Sequence, residues 1–130
     1  MIVIDASALL EVLLGTERSN AVEARIFAPS QTLHAPHLID VEVAQVLRRY
    51  AALGDLDPVR AQQALTDLGD LRLSRYPHRL FLPRIWDLRE NITAYDAVYI
   101  ALAEALPAPL ITCDRRLAGA PGHTAVVELV

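Results

Sequence analysis

Lysine is missing from this chain of 130 residues, and all 12 of its basic side chains are arginine. A nucleotide-binding loop built on Gly-Lys-Ser/Thr is therefore excluded. Cysteine occurs once, at Cys113, so no disulfide can close within the chain and nothing points to an oxidising compartment. Aromatics make up only 5% of residues against 53% hydrophobic, which leaves the core to Leu, Val, Ile and Ala. No apolar run reaches the length that spans a membrane. The apolar start, Met1 to Leu14, has no basic leading segment and is broken by Asp5 and Glu11, unlike a signal peptide. The expectation is a soluble, cytoplasmic protein with no membrane attachment.

What is present suits a single α/β domain over residues 1–130. A domain of that size buries roughly two-thirds of its extended surface. Met1–Ile4 is a continuous apolar run, the mark of a buried parallel strand, and it stops at Asp5. A helix follows over Ala6–Leu14 with Gly15 at its C-cap, and a second over Ser19–Phe27. A short strand at Thr32–Ala35 precedes the strongest helix, His37–Leu53, whose period runs through Leu38, Val41, Val46, Leu47, Tyr50 and Leu53. Pro58 opens a helix to about Leu68, Leu71–Tyr76 reads as a strand, and His78–Arg89 as a helix containing Pro83. Thr93–Leu106 is helical, Pro109–Cys113 is a second buried strand ending at Asp114, and Ala125–Val130 is the last strand. Strands alternating with helices predict an α/β/α sandwich on a mostly parallel sheet.

Four acids stand out from this frame. Asp5 and Asp114 each follow a buried strand directly, and the carboxyl ends of parallel strands form the ligand crevice of such sheets. Glu42 shares a helical face with Ile39 and Val46, and Asp96 shares one with Ile100. A carboxylate on an apolar stripe is costly to desolvate unless it is paired or holds a cation. Hard divalent cations take oxygen ligands, and Mg²⁺ needs only a few carboxylates besides water and phosphate. Each acid also has a plainer reading. Asp5 fits an N-cap for the helix at Ala6, Asp114 a cap for a turn at Arg115–Leu117, and Asp96 the Thr-x-x-Asp capping box. Glu42 is neither terminal nor on a polar face. With these four set aside as ligands, twelve acids remain against twelve arginines, so the formal charge of −4 is compatible with a polyanionic substrate.

The set Ile-Asp-x-Ser near the start, a mid-chain helical glutamate, Tyr-Asp-Ala-x-Tyr-x-Ala-Leu-Ala, and Leu-Ile-Thr-x-Asp resembles the PIN-domain family, in particular the VapC-type toxins of bacterial toxin–antitoxin pairs. The resemblance runs nearly the full length, in family order. It implies the PIN-like fold, an endoribonuclease dependent on Mg²⁺ or Mn²⁺, a homodimer, and a VapB-type antitoxin encoded alongside. Asp5, Glu42, Asp96 and Asp114 match the family's catalytic, metal-binding acids, and Ser7 and Thr112 match its small hydroxyl positions. Those hydroxyls would bond a carboxylate, metal-bound water or phosphate. One departure is visible: many members carry a further acid shortly after the last aspartate, where this chain has Arg115, Arg116 and Leu117.

Haloacid-dehalogenase-like phosphatases and receiver domains also place an aspartate after the first strand, but both imply a functional lysine. A PIN fold that binds RNA or protein with little or no cutting stays open as the alternative. The remaining features carry plainer expectations. Arg72, Arg75, Arg79, Arg84 and Arg89 form a basic stretch opposed only by Asp87, which could grip RNA phosphates but reads first as a solvated or dimer-facing surface. Asp40 is a cap or solvated acid, Tyr95 and Tyr99 read as packing residues rather than base-stacking platforms, and Cys113 is a small core residue. His34, His37, His78 and His123 lack metal-ligand spacing. Leu9, Leu10, Leu13 and Leu14, with the apolar side of 38–53, offer a partner-helix surface or core packing.

Overall fold

A computed structural model describes residues 1–130. The apolar run before Asp5 becomes β1 (Ile2–Ile4), buried at every position, and it lies at the middle of a five-stranded sheet. The others are β2 (Leu33–Pro36), β3 (Leu73–Tyr76), β4 (Leu110–Thr112) and β5 (Val127–Leu129). Their order is β3-β2-β1-β4-β5 and every pairing is parallel, so the sheet expected to be mostly parallel is wholly so. The chain winds from β1 out to β3, then crosses back to β4 on the other side of β1. The switch between β1 and β4 is where a doubly wound sheet opens its crevice.

Seven α-helices connect these strands: α1 (Ala6–Leu14), α2 (Ser19–Ile26), α3 (Leu38–Ala52), α4 (Pro58–Asp70), α5 (Leu82–Asp87), α6 (Ala94–Ala105) and α7 (Arg115–Ala118). Right-handed crossovers put α1–α4 on one face and α5–α6 on the other. In keeping with this, α1 packs with α3 and α4, and α5 with α6. Local chemistry sets the ends. Asp57 caps α4 by accepting from Val59 N–H at 2.7 Å, and Pro58 takes the first turn where its missing N–H costs nothing. Gly15 closes α1 at φ 61°, a left-handed conformation that glycine adopts without strain.

Two expectations change. The helix at His78–Arg89 is a 3₁₀ turn (Arg79–Phe81) followed by α5, because Pro83 has no N–H and fits only in a first turn. On α3 the buried stripe is Ile39, Val43 and Leu47, whereas Val41 and Leu53 are 67% and 68% exposed. The sequence carries two apolar stripes on that helix, and only one can face the sheet. Of the two readings given for the α1 leucines, the structure takes core packing: Leu9, Leu10 and Leu13 are buried in the central cluster. Across β2 and β3, buried His34 is satisfied by Thr32 Oγ1 and Tyr76 Oη, both at 2.8 Å, so it is a packed core histidine.

Candidate active site

Asp5 leaves β1 and caps α1, accepting from Ala8 N–H at 3.0 Å. The capping and site readings are therefore both satisfied by one side chain. Its two oxygens are also held by hydroxyls, Ser7 Oγ donating to Oδ1 at 2.7 Å and Thr112 Oγ1 to Oδ2. Each hydroxyl in turn accepts a backbone N–H from the end of β4: Ser7 from Cys113 and Thr112 from Asp114, both at 2.9 Å. Of the three roles open to these hydroxyls, the structure gives them the carboxylate. Thr112, fully buried, fixes Asp5 and the strand end rather than meeting a ligand.

The other three acids reach the same edge from different elements. Glu42 lies in the second turn of α3, where Tyr99 of α6 donates to its Oε1 at 2.9 Å. Asp96 lies in the first turn of α6, capped by Thr93, whose hydroxyl accepts from Asp96 N–H at 3.2 Å. That cap bond uses the backbone of Asp96 and leaves its carboxylate available. Asp114 caps α7 through Arg116 N–H at 2.8 Å, and the Arg116 guanidinium approaches it at 3.4 Å. Asp5, Glu42, Asp96 and Asp114 all line one cleft of about 870 Å³.

Electrostatics ties the four together. Burial pushes the Asp5 carboxyl up against its three hydrogen bonds, and the charge of Asp96 adds to the rise. Glu42 is pushed up to about 6, first by burial, with Asp96 and Asp5 adding and the Tyr99 hydroxyl opposing. Asp96 rises through burial and the nearby charge of Asp114. Asp114 alone is held low: burial works against it, but the Arg116 N–H, guanidinium and charge prevail. Asp5, Glu42 and Asp96 make no ion pair with any arginine. Mutually repelling, oxygen-only donors without basic partners fit a hard divalent cation such as Mg²⁺ or Mn²⁺. The side chains as they stand form no ready cage of three around an ion. The fit rests on the donor set and its shared cleft.

Several residues at the cleft escaped the sequence reading. Tyr99 is fully buried, and its hydroxyl is the direct support of Glu42; its position one helical turn past Asp96 was the available signal. Tyr95 is 65% exposed and lines the cleft instead of packing. Cys113, expected in the core, is half-buried on the cleft wall. By contrast, the basic stretch is not simply solvated. Arg75 grips Asp40 with three bonds of 2.8–3.0 Å, and Arg84 clamps Glu104 at 2.8 and 2.9 Å. Both partners lie far away in sequence, which is why Asp87 alone seemed to oppose the run.

A doubly wound parallel sheet with converging carboxylates at its switch point is the architecture of the PIN domain. The chain belongs to the PIN-domain family, whose model matches residues 2–122. Ribonuclease VapC1 of Mycobacterium tuberculosis is 42% identical over 132 residues, covering 98% of this chain and 96% of that relative. Among solved structures, PAE2754 from Pyrobaculum aerophilum superposes with TM-score 0.70 at 25% identity, covering 97% of this chain and 81% of the other. A toxin–antitoxin complex from Klebsiella pneumoniae shares the fold at TM-score 0.66 and 21% identity, covering 98% and 96%.

Proposed function

We propose that this chain is a metal-dependent endoribonuclease, the toxin of a type II toxin–antitoxin pair. The observation that carries the reading is the convergence of Asp5, Glu42, Asp96 and Asp114, from separate elements, on one cleft at the sheet's switch point. Full-length kinship to a ribonuclease of the VapC group supports the substrate. Mg²⁺ or Mn²⁺, when bound, supplies Lewis-acid stabilisation of phosphate charge and an acidified water. The four acids are the residues that would hold it. Ser7 and Thr112 keep Asp5 in one rotamer, and Tyr99 does the same for Glu42. Preorganised ligands of this kind spare the site reorganisation when substrate arrives.

An antitoxin of the VapB type restrains the enzyme by placing a basic side chain among the acids, and the active form is a homodimer. The acidic floor would attract such a side chain, and the exposed Val41 beside Glu42 offers it an apolar wall. No helix is long and apolar enough to cross a membrane. The test is incubation of the purified protein with total cellular RNA, with and without Mg²⁺ or Mn²⁺, and sequencing of the new ends. Discrete new ends that require the metal are expected. RNA left intact under all conditions would reduce the protein to a binding module.

A further inference from the structure

Beside the acidic cleft lies a second cavity of about 280 Å³, lined by Arg18, Cys113, Arg115, Leu129 and Val130. Arg18, Cys113 and Arg115 line both, so the two spaces adjoin. Arg25, Arg75, Arg84, Arg89 and Arg116 all have carboxylate partners. Arg18 and Arg115 have none, and both are exposed. Arg115 directly follows Asp114, at the turn where the sequence departs from the resembled family by supplying arginine instead of a further acid.

The need for such cations is electrostatic. A bound metal would neutralise the scissile phosphate, but the neighbouring phosphates of the same strand would still lie close to the acidic floor of the cleft and need cations at its exposed edge. Guanidinium is the side chain suited to them, being permanently charged and able to bond two phosphate oxygens at once. Arg115 opens α7 and Arg18 ends the α1–α2 connection, so the two reach one cavity from separate elements. Leu129 and Val130 give its apolar wall, against which a ribose can pack. We infer that Arg18 and Arg115 form a subsite for a non-scissile phosphate of single-stranded RNA, so that the strand runs from the acidic cleft into this adjoining cavity. The inference rests on the endoribonuclease reading.

The test compares wild type, R18Q/R115Q and R72Q/R79Q, the last pair being exposed arginines without carboxylate partners and outside both cavities. Fluorescence anisotropy of a labelled, mixed-sequence single-stranded RNA is recorded in chelator over a salt series, and cleavage is followed separately with Mg²⁺. Each lost phosphate contact on a single strand lowers the log–log salt slope by about 0.7. R18Q/R115Q should therefore flatten the slope by about 0.7 and weaken binding about tenfold at low salt, with the cleavage defect falling mainly on KM. R72Q/R79Q should stay near wild type, and equal melting temperatures would show all three folded. Slopes and affinities unchanged in R18Q/R115Q, or lowered equally in R72Q/R79Q, would overturn the subsite while leaving the nuclease standing. Wild type that neither binds nor cuts RNA would overturn the nuclease reading, and the subsite with it.

Discussion

Tyr99 donates its hydroxyl to Glu42 Oε1 at 2.9 Å, so a buried residue of α6 sets the position of an acid on α3. A fully buried tyrosine needs a partner for its O–H, and Glu42 needs a donor to offset its own desolvation. Tyr99→Phe keeps the ring and removes only the hydroxyl. We expect a stability cost of about 1 kcal/mol. The larger effect falls on Glu42, whose carboxyl loses the bond that holds its pKa down and climbs further. Less carboxylate at neutral pH means weaker metal binding, several-fold by calorimetric Mn²⁺ titration. Wild-type Mn²⁺ affinity in the variant would show that the bond is only packing.

Glu42 also gives the metal-free protein an unusual pH response. Its folded pKa of about 6 lies above the ordinary 4.5, so the fold favours the protonated form. The associated stability is full below pH 4.5 and is lost as pH rises through 6. With partial solvent screening the loss is on the order of 1 kcal/mol. Urea melts of the metal-free protein across that window should show it, and Glu42→Gln should flatten it. Mn²⁺ should reverse the trend, since it binds the deprotonated form. The same pH dependence in wild type and Glu42→Gln over that window would contradict the assigned burial, since buried His34, held low by desolvation, adds an opposite trend to both.

The opposite sign holds at Glu104. Arg84 clamps it across α5 and α6, the backbone N–H of Thr124 adds a bond at 3.0 Å, and its carboxyl drops to about 2. Here the stability is present above pH 4.5 and is lost as pH falls toward 2. Glu104→Gln should cost roughly 2 kcal/mol at neutral pH and almost nothing near pH 2. A variant as stable as wild type at pH 7 would refute the clamp.

These contrasts show what the sequence could and could not reveal. Asp5 and Asp114 were legible because each ends an apolar run, and such runs locate parallel strand ends without any tertiary knowledge. Their adjacency was not: it depends on β4 crossing back to pair with β1. Glu42 was legible as a charge on the face of Ile39, which is buried, and Val46, which packs against the core, whereas Val41 and Leu53 were placed in the buried period because periodicity does not say which stripe the sheet takes. Arg75 and Arg84 were misread because their partners, Asp40 and Glu104, are 35 and 20 residues away. Tyr99 was hidden by its own apolar ring, which made packing a sufficient account.

Asp96 separates capping from ligation most sharply. The Thr93 hydroxyl bonds the Asp96 N–H, which any residue at 96 retains, so as a cap Asp96→Asn should cost about 1 kcal/mol or less. As a member of the acid cluster its effect has the other sign. The charge of Asp96 helps raise both Asp5 and Glu42, while Asp114 raises Asp96 itself. Removing that charge relieves repulsion among buried carboxylates, so the metal-free variant should melt at or above the wild-type temperature. Glu42 should then titrate below about 6, which carbon-detected NMR of its carboxyl can follow. The stabilisation that Mn²⁺ gives to wild type should largely vanish, and RNA cleavage should fall close to background. The melts and the titration read the cluster without reference to any substrate. A variant that melts lower, leaves Glu42 unmoved and keeps its Mn²⁺ stabilisation would make Asp96 a helix-end residue, and the site would have to be rebuilt on the remaining three acids.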